Sequence, residues 1–277
     1  FTRQIYVEYN SFGREYAALL SIQLLLIVLV VLVLEWAIRS NQTVRGDEAY
    51  RAESRVRLGG WRWPATALPA GVAGISLVVP VWILLLWVRR TDTARRPSMA
   101  FEWTQALNSV SVAAATAIVA TLVALPVAYF AATSDSRLST LFERATYVGF
   151  AVPGVVLGLA LVFFGAGYVP WVYQTLPLLV FAYVLRFLPH AVGTTRTSIL
   201  QVDSKLVEAG RTLGESPFGT FQRITLPHIR SGLVAGAALV FLTTMKELPV
   251  TLILRPSGFE TIVFQIWRAQ ADALYQY

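Results

Sequence analysis

The chain has 277 residues, 56% hydrophobic and 14% charged, with a mean hydropathy of +0.58, a balance that excludes an ordinary water-exposed surface and points to lipid as the solvent. Two histidines and no cysteine exclude disulfides, thiolate catalysis and cysteine-ligated metal, and leave little for a histidine metal site. The net charge of +7 is mostly arginine and shows no clustered soluble basic domain, so it fits loops beside anionic lipid better than nucleic acid.

The expected fold class is all-α, a polytopic integral membrane protein with about six spans, because an open strand edge cannot be satisfied in lipid. The chain starts at Phe1, without a methionine and inside an amphipathic stretch, which suggests a piece of a longer protein. The first span is expected at 17–38. A linker at 39–64 leads to a second span at 65–88 and an arginine-rich stretch with Arg89, Arg90, Arg95 and Arg96. The third and fourth spans are expected at 105–133 and 145–167. A short fifth at 176–189 is bounded by Pro177 and Pro189. A polar loop at 190–230 precedes the sixth span at 231–254. The remaining stretch to Tyr277 is amphipathic, and a final span is expected beyond it.

The two ends resemble each other. Gln4-Ile5-Tyr6 matches Gln265-Ile266-Trp267, and Tyr16 matches Tyr277 at the same offset. The expectation is a tandem repeat of transport units, with 1–38 closing one unit and 65–277 forming most of the next. Loops 39–64, 134–144 and 190–230 hold thirteen arginines and lysines, and the alternate set holds eight, so the first set is expected to face the cytoplasm.

Within the long loop, residues 203–213 read as a short helix. Its cap is Asp203 or Ser204, and its apolar face is Leu206, Ala209 and Leu213. Gly214 suits a left-handed C-terminal cap, and Pro217 suits the start of a second helix from Ser216. In the sixth span, Lys246 and Glu247 stand beside Pro249, and charges at that depth are expensive unless paired or hydrated. They read either as a site facing a translocation path or as an ion pair that positions spans. Adjacent residues diverge around a helix, so each would find its partner on another helix. Arg186 is expected to snorkel to the cytoplasmic face. His190 and His228 read as interfacial residues, and the Gly154/Gly158 and Gly232/Gly236 pairs as packing contacts.

The loop resembles the EAA motif of binding-protein-dependent ABC importer permeases: E-A-A, three residues, G, nine residues, I-x-L-P. Here stand Glu208, Ala209, Gly210, Gly214, Ile224, Leu226 and Pro227 with each spacing kept, and Gly210 replaces the second alanine. An amphipathic interfacial helix with a glycine cap would explain the small residues but not the spacing. The resemblance implies a type I importer bundle whose loop docks in a groove on a separate ATP-binding subunit. That partner is a dimer holding ATP and magnesium, and a periplasmic binding protein delivers cargo. This chain would hold no cofactor and no metal; it has no Gly-Lys-Ser/Thr phosphate loop. The string Met245 to Pro249 followed by Leu254, Arg255 and Pro256 is similar to the ferric-iron group, in which two permease halves are fused in one chain. Thiamine, sulfate, polyamine and phosphonate importers share the loop pattern. An intramembrane enzyme would need a buried nucleophile or carboxylate pair with a partner base, and the spans offer none. A passive channel would need no such loop.

Overall fold

The computed structural model describes residues 5, 14–39, 59–89, 102–134 and 136–271. Most of the 39–64 linker, Arg90, Arg95, Arg96 and the terminal residues Gln4, Tyr6 and Tyr277 lie outside the described residues. Every regular element among them is helical: α1 (Arg14–Arg39), α2 (Arg62–Arg89, after a 3-10 turn at Gly59–Trp61), α3 (Trp103–Thr133), α4 (Arg137–Ala151), α5 (Gly154–Tyr168), α6 (Leu176–Leu200), α7 (Ser204–Thr212), α8 (Pro217–Thr220), α9 (Leu226–Met245), α10 (Pro249–Leu254) and α11 (Ile262–Ala271). Among the described residues, four helical stretches are long and apolar enough to cross a membrane, or up to five if α4 and α5 count as one, and α1 adds a shorter apolar stretch at Ala18–Val30.

The chain forms two compact units. In the unit of residues 35–101 and 268–277, α2 is apolar on all sides and exposes Leu68, Val72, Ile75, Val78 and Trp82, as a helix facing lipid does.

The other unit, residues 1–34 and 102–267, holds the bundle. Helices α3, α6 and α9 pack on one another at its centre. Association in lipid gains little from apolar burial, so close backbone approach must hold them together. Small residues supply it: Ala113, Ala117, Ala120, Ala124 and Ala128 form a buried stripe on α3. On α9, Gly232 sits against Ser198 and Thr194, and Gly236 against Thr194 and Ala191, where a Cβ would clash. Gly158 likewise packs on Ile253. Hydroxyls inside these helices donate to the preceding turn, as Thr116 does to the Val112 carbonyl and Thr121 to that of Ala117.

Four expected boundaries differ in the structure, each at a proline. The 145–167 span is two helices, α4 and α5, bent by 99°. Pro153 forces Val152 into an extended conformation (φ −69°, ψ 130°), which ends α4. The 176–189 span does not stop at Pro189 but runs to Leu200. Pro189 frees the Leu185 carbonyl, and Gly149 of α4 closes on that oxygen so tightly that a Cβ would not fit. A proline inside a helix is tolerated where a neighbour covers the freed group. The 190–230 loop is correspondingly shorter, because helix resumes at Pro217 and continues through a wide π-type turn at Phe221–Thr225 into α9. Lastly, the 231–254 span breaks after Met245. Pro249 does not kink a continuous helix but opens α10, where a missing N–H costs nothing.

Candidate functional site

Two regions carry the residues singled out by the sequence, one at the polar end of the bundle and one at the α9–α10 break.

At the polar end, Asp203 caps α7 by accepting from the Lys205 N–H at 2.9 Å. The helix closes on Gly214, whose φ of +89° is the left-handed conformation that favours glycine. The Gly214 N–H donates to the Arg211 carbonyl at 3.0 Å and the Glu215 N–H to the Gly210 carbonyl at 3.1 Å, so two orphan carbonyls are met within the turn. Ser216 then caps α8 by accepting from the Gly219 N–H at 3.0 Å. Glu215 pairs with Arg223 across the turn, and His228 Nδ1 lies 2.6 Å from the Ile224 carbonyl.

Glu208 and Ala209 are exposed, whereas Gly210 is buried. A Cβ on Gly210 would lie 2.7 Å from Ile224 Cδ1, the flexible end of that side chain, and 3.5 Å from Thr220 Cγ2, so the glycine packs directly on the isoleucine. The two halves of the motif therefore meet at Gly210 and Ile224, while Leu226 and Pro227 form the first turn of α9. The expected apolar face of α7 is not its buried face: Leu206 is 46% and Leu213 85% exposed, and Phe218 follows at 73%. Gly210 is small enough to bring the helix axis onto α8, which turns the large side chains outward. Glu208 and Arg211 also line a cleft of about 660 Å³ with Tyr129, Thr133, Ser204 and Thr225.

At the break, Lys246 is exposed and Glu247 turns inward. The Glu247 carboxylate lies 3.4 Å from Arg186 Nε, with side-chain exposures of 10% and 18%. Arg186 thus does not snorkel to an end of α6; a carboxylate inside the bundle holds it. Its Nη1 donates to the Val152 carbonyl at 2.8 Å. Glu247 Oε1 accepts from the Val250 N–H at 3.4 Å, and the Glu247 carbonyl accepts from the Thr251 hydroxyl. Tyr183, 1% exposed, lies 2.6 Å from the same hydroxyl. A cavity of about 10 Å³, room for one water, opens beside them and is lined by Ser109, Tyr183, Thr244, Glu247 and Thr261. The Thr244 hydroxyl, buried there, has no hydrogen-bond partner among the described residues.

Beyond the break, the chain returns to the start of α3. Asn108 donates to the Glu260 carbonyl at 3.0 Å, and the Ile262 N–H donates to Ser109 Oγ at 2.9 Å. Arg255 stacks 3.7 Å over the Phe264 ring. His190 lies between the rings of Phe150 and Phe187. Among the described residues, no three His, Asp or Glu side chains gather into a metal-holding group.

The sequence offers Glu247 as one half of an ion pair with another helix but does not identify Arg186 as its partner. The complementary signal is a lone arginine in an apolar helix, which demands a partner somewhere.

Small-residue helix packing, helices broken inside the bundle and an ion pair at the break define the class: a polytopic helical membrane protein of the transporter kind. Residues 120–276 match the family described as binding-protein-dependent transport system inner membrane component, and the chain belongs to that family. Membership and apolar helices together make it a multi-pass membrane protein. It is 33% identical, over 99% of its length, to an Fe(3+)-transport system permease protein of Haemophilus influenzae, and it spans 55% of that relative. It is 30% identical to a probable molybdenum ABC transporter permease protein of Haloferax volcanii over 75% of this chain and 78% of the relative. A molybdate/tungstate transport system permease protein of Pyrococcus abyssi is also 30% identical, over 53% of this chain and 58% of its own length.

Proposed function

We propose that the chain is part of the permease of an ATP-driven importer that moves ferric iron across the inner membrane. The observation that carries this reading is the 33% identity to the Fe(3+)-transport permease, sustained along 99% of the chain. In this reading, the other permease half is fused in the same polypeptide, an extracytoplasmic binding protein delivers cargo, and a separate dimeric ATP-binding subunit supplies the energy. That subunit docks on the polar end, which is cytoplasmic. Glu208, Ala209, Gly210, Gly214, Ile224, Leu226 and Pro227 form the docking element. Exposed Leu213 and Phe218 suit an apolar groove, and Glu208 suits a basic or amide partner. Lys246, Glu247 and Pro249 border the translocation path, where backbone leaves the helix and charge is present. The chain itself catalyses no reaction.

A second cargo has specific support. The molybdenum relative matches most of its own length, so molybdate is the competing substrate within the same mechanism.

The test deletes the full-length gene and follows uptake of radiolabelled ferric iron and of radiolabelled molybdate at limiting concentration. Complementation uses wild type and Gly214→Asp, which strains the left-handed cap and adds a charge to the docking turn. Lost iron uptake, rescued by wild type but not by a Gly214→Asp protein present in the membrane, supports both cargo and docking role. Normal iron uptake with lost molybdate uptake removes iron and keeps the importer.

A further inference from the structure

The bundle contains two helix interruptions, at Val152–Pro153 and at Lys246–Leu248, and the same two side chains serve both. A helix that stops in an apolar setting leaves carbonyls without partners at its end and N–H groups without partners at its start. The C-terminal end of α4 offers the Val152 carbonyl, and Arg186 donates to it at 2.8 Å. The first turn of α10 offers the Val250 N–H, and Glu247 accepts from it at 3.4 Å. Arg186 and Glu247 then meet at 3.4 Å. Each charge is placed against the backbone group of opposite polarity. Both lie against Gly154, where a Cβ would come 2.8 Å from Glu247 Oε1 and 3.1 Å from Arg186 Cζ.

We propose that Arg186 and Glu247 form a directional brace that ties the end of α4 to the start of α10, so that the two interruptions shift as one unit during transport. They are positioning residues. The brace needs the guanidinium at 186 and the carboxylate at 247, because the reversed pair would set a carboxylate against the Val152 carbonyl and a guanidinium against the Val250 N–H. An ordinary ion pair has no such polarity. The role is independent of which cargo is carried, although it rests on the chain moving a solute.

The experiment uses the full-length protein with its ATP-binding and binding-protein partners in proteoliposomes, and reads cargo moved per ATP hydrolysed, with radiolabelled ferric iron and molybdate as probes. If wild type moves neither probe by ATP, both cargo readings fail, and the same ratio is then read with radiolabelled thiamine, sulfate and polyamine as probes. Given wild-type transport, Glu247→Gln and Arg186→Gln are expected to lower the ratio about tenfold while hydrolysis continues, and Arg186→Glu with Glu247→Arg is expected not to recover it. Gly154→Ala keeps both charges but crowds them, and is expected to lower the ratio about threefold, a readout that survives if the charge variants fail to fold. Recovery by the reversed pair would overturn the brace, and so would a wild-type ratio in Gly154→Ala.

Discussion

Helices stop at the polar end of the bundle and again at the two breaks, but only at the breaks do other helices help to satisfy their loose ends. Around α7 and α8 every cap is local: Asp203 meets Lys205, Gly214 meets Arg211, and Ser216 meets Gly219. At the breaks a local cap, Glu247 on the Val250 N–H, is joined by partners from other helices. Arg186 of α6 serves Val152, Glu247 pairs with Arg186, and Gly149 of α4 covers the carbonyl that Pro189 releases on α6. Water is plentiful at a polar end to finish what a local cap leaves undone, whereas within the bundle only protein or a trapped water can do so. Local caps cost little to disturb; long-range ones hold the packing.

That contrast sets the order of expected effects. Glu247→Leu leaves the Arg186 charge inside the bundle without its partner, a destabilisation of about 3–5 kcal/mol. Thermal unfolding of the full-length protein in detergent would register it as a large drop in Tm, and an unchanged Tm would show that the pair contributes nothing. Gly149→Ala forces a Cβ onto the Leu185 carbonyl and is expected to cost about 1–3 kcal/mol, read the same way. Gly214→Ala meets open space and suffers only the left-handed φ, about 1–2 kcal/mol. Its effect should stay within 204–215, seen as faster hydrogen exchange there with Tm little changed. Asp203→Ala is the mildest, removing one cap worth about 1 kcal/mol, with exchange rising at the first turn of α7. If these last two lowered Tm as far as the first two, the division between local and long-range closure would fail.

The same division explains what could be read from the sequence. Apolar length revealed helices α1, α2 and α3, and residue type at short spacing revealed the Asp203 and Gly214 caps and the start at Pro217, because those interactions lie within a few residues of one another. Prolines in the bundle were another matter. Pro189 has the sequence signature of a helix end, yet the helix continues, with Gly149, distant in sequence, packed against the Leu185 carbonyl. Pro153, by contrast, does break its span, and the bend could not be told from a tolerated proline by composition. Arg186 looked like a residue near a helix end because its partner lies on another helix. Leu206 and Leu213 had helical spacing, yet spacing does not say which face is covered. The covered face is the one on which Gly210 packs against Ile224.

The central claim is that the polar end meets an ATP-binding subunit. A photoreactive phenylalanine placed at Leu213 of the full-length protein, in cells that express its transport partners, tests this most directly. Irradiation is expected to give a cross-linked product in which mass spectrometry finds an ATP-binding subunit. A membrane-inserted protein labelled at Leu213 that yields no such product, while still importing its cargo, would contradict the claim.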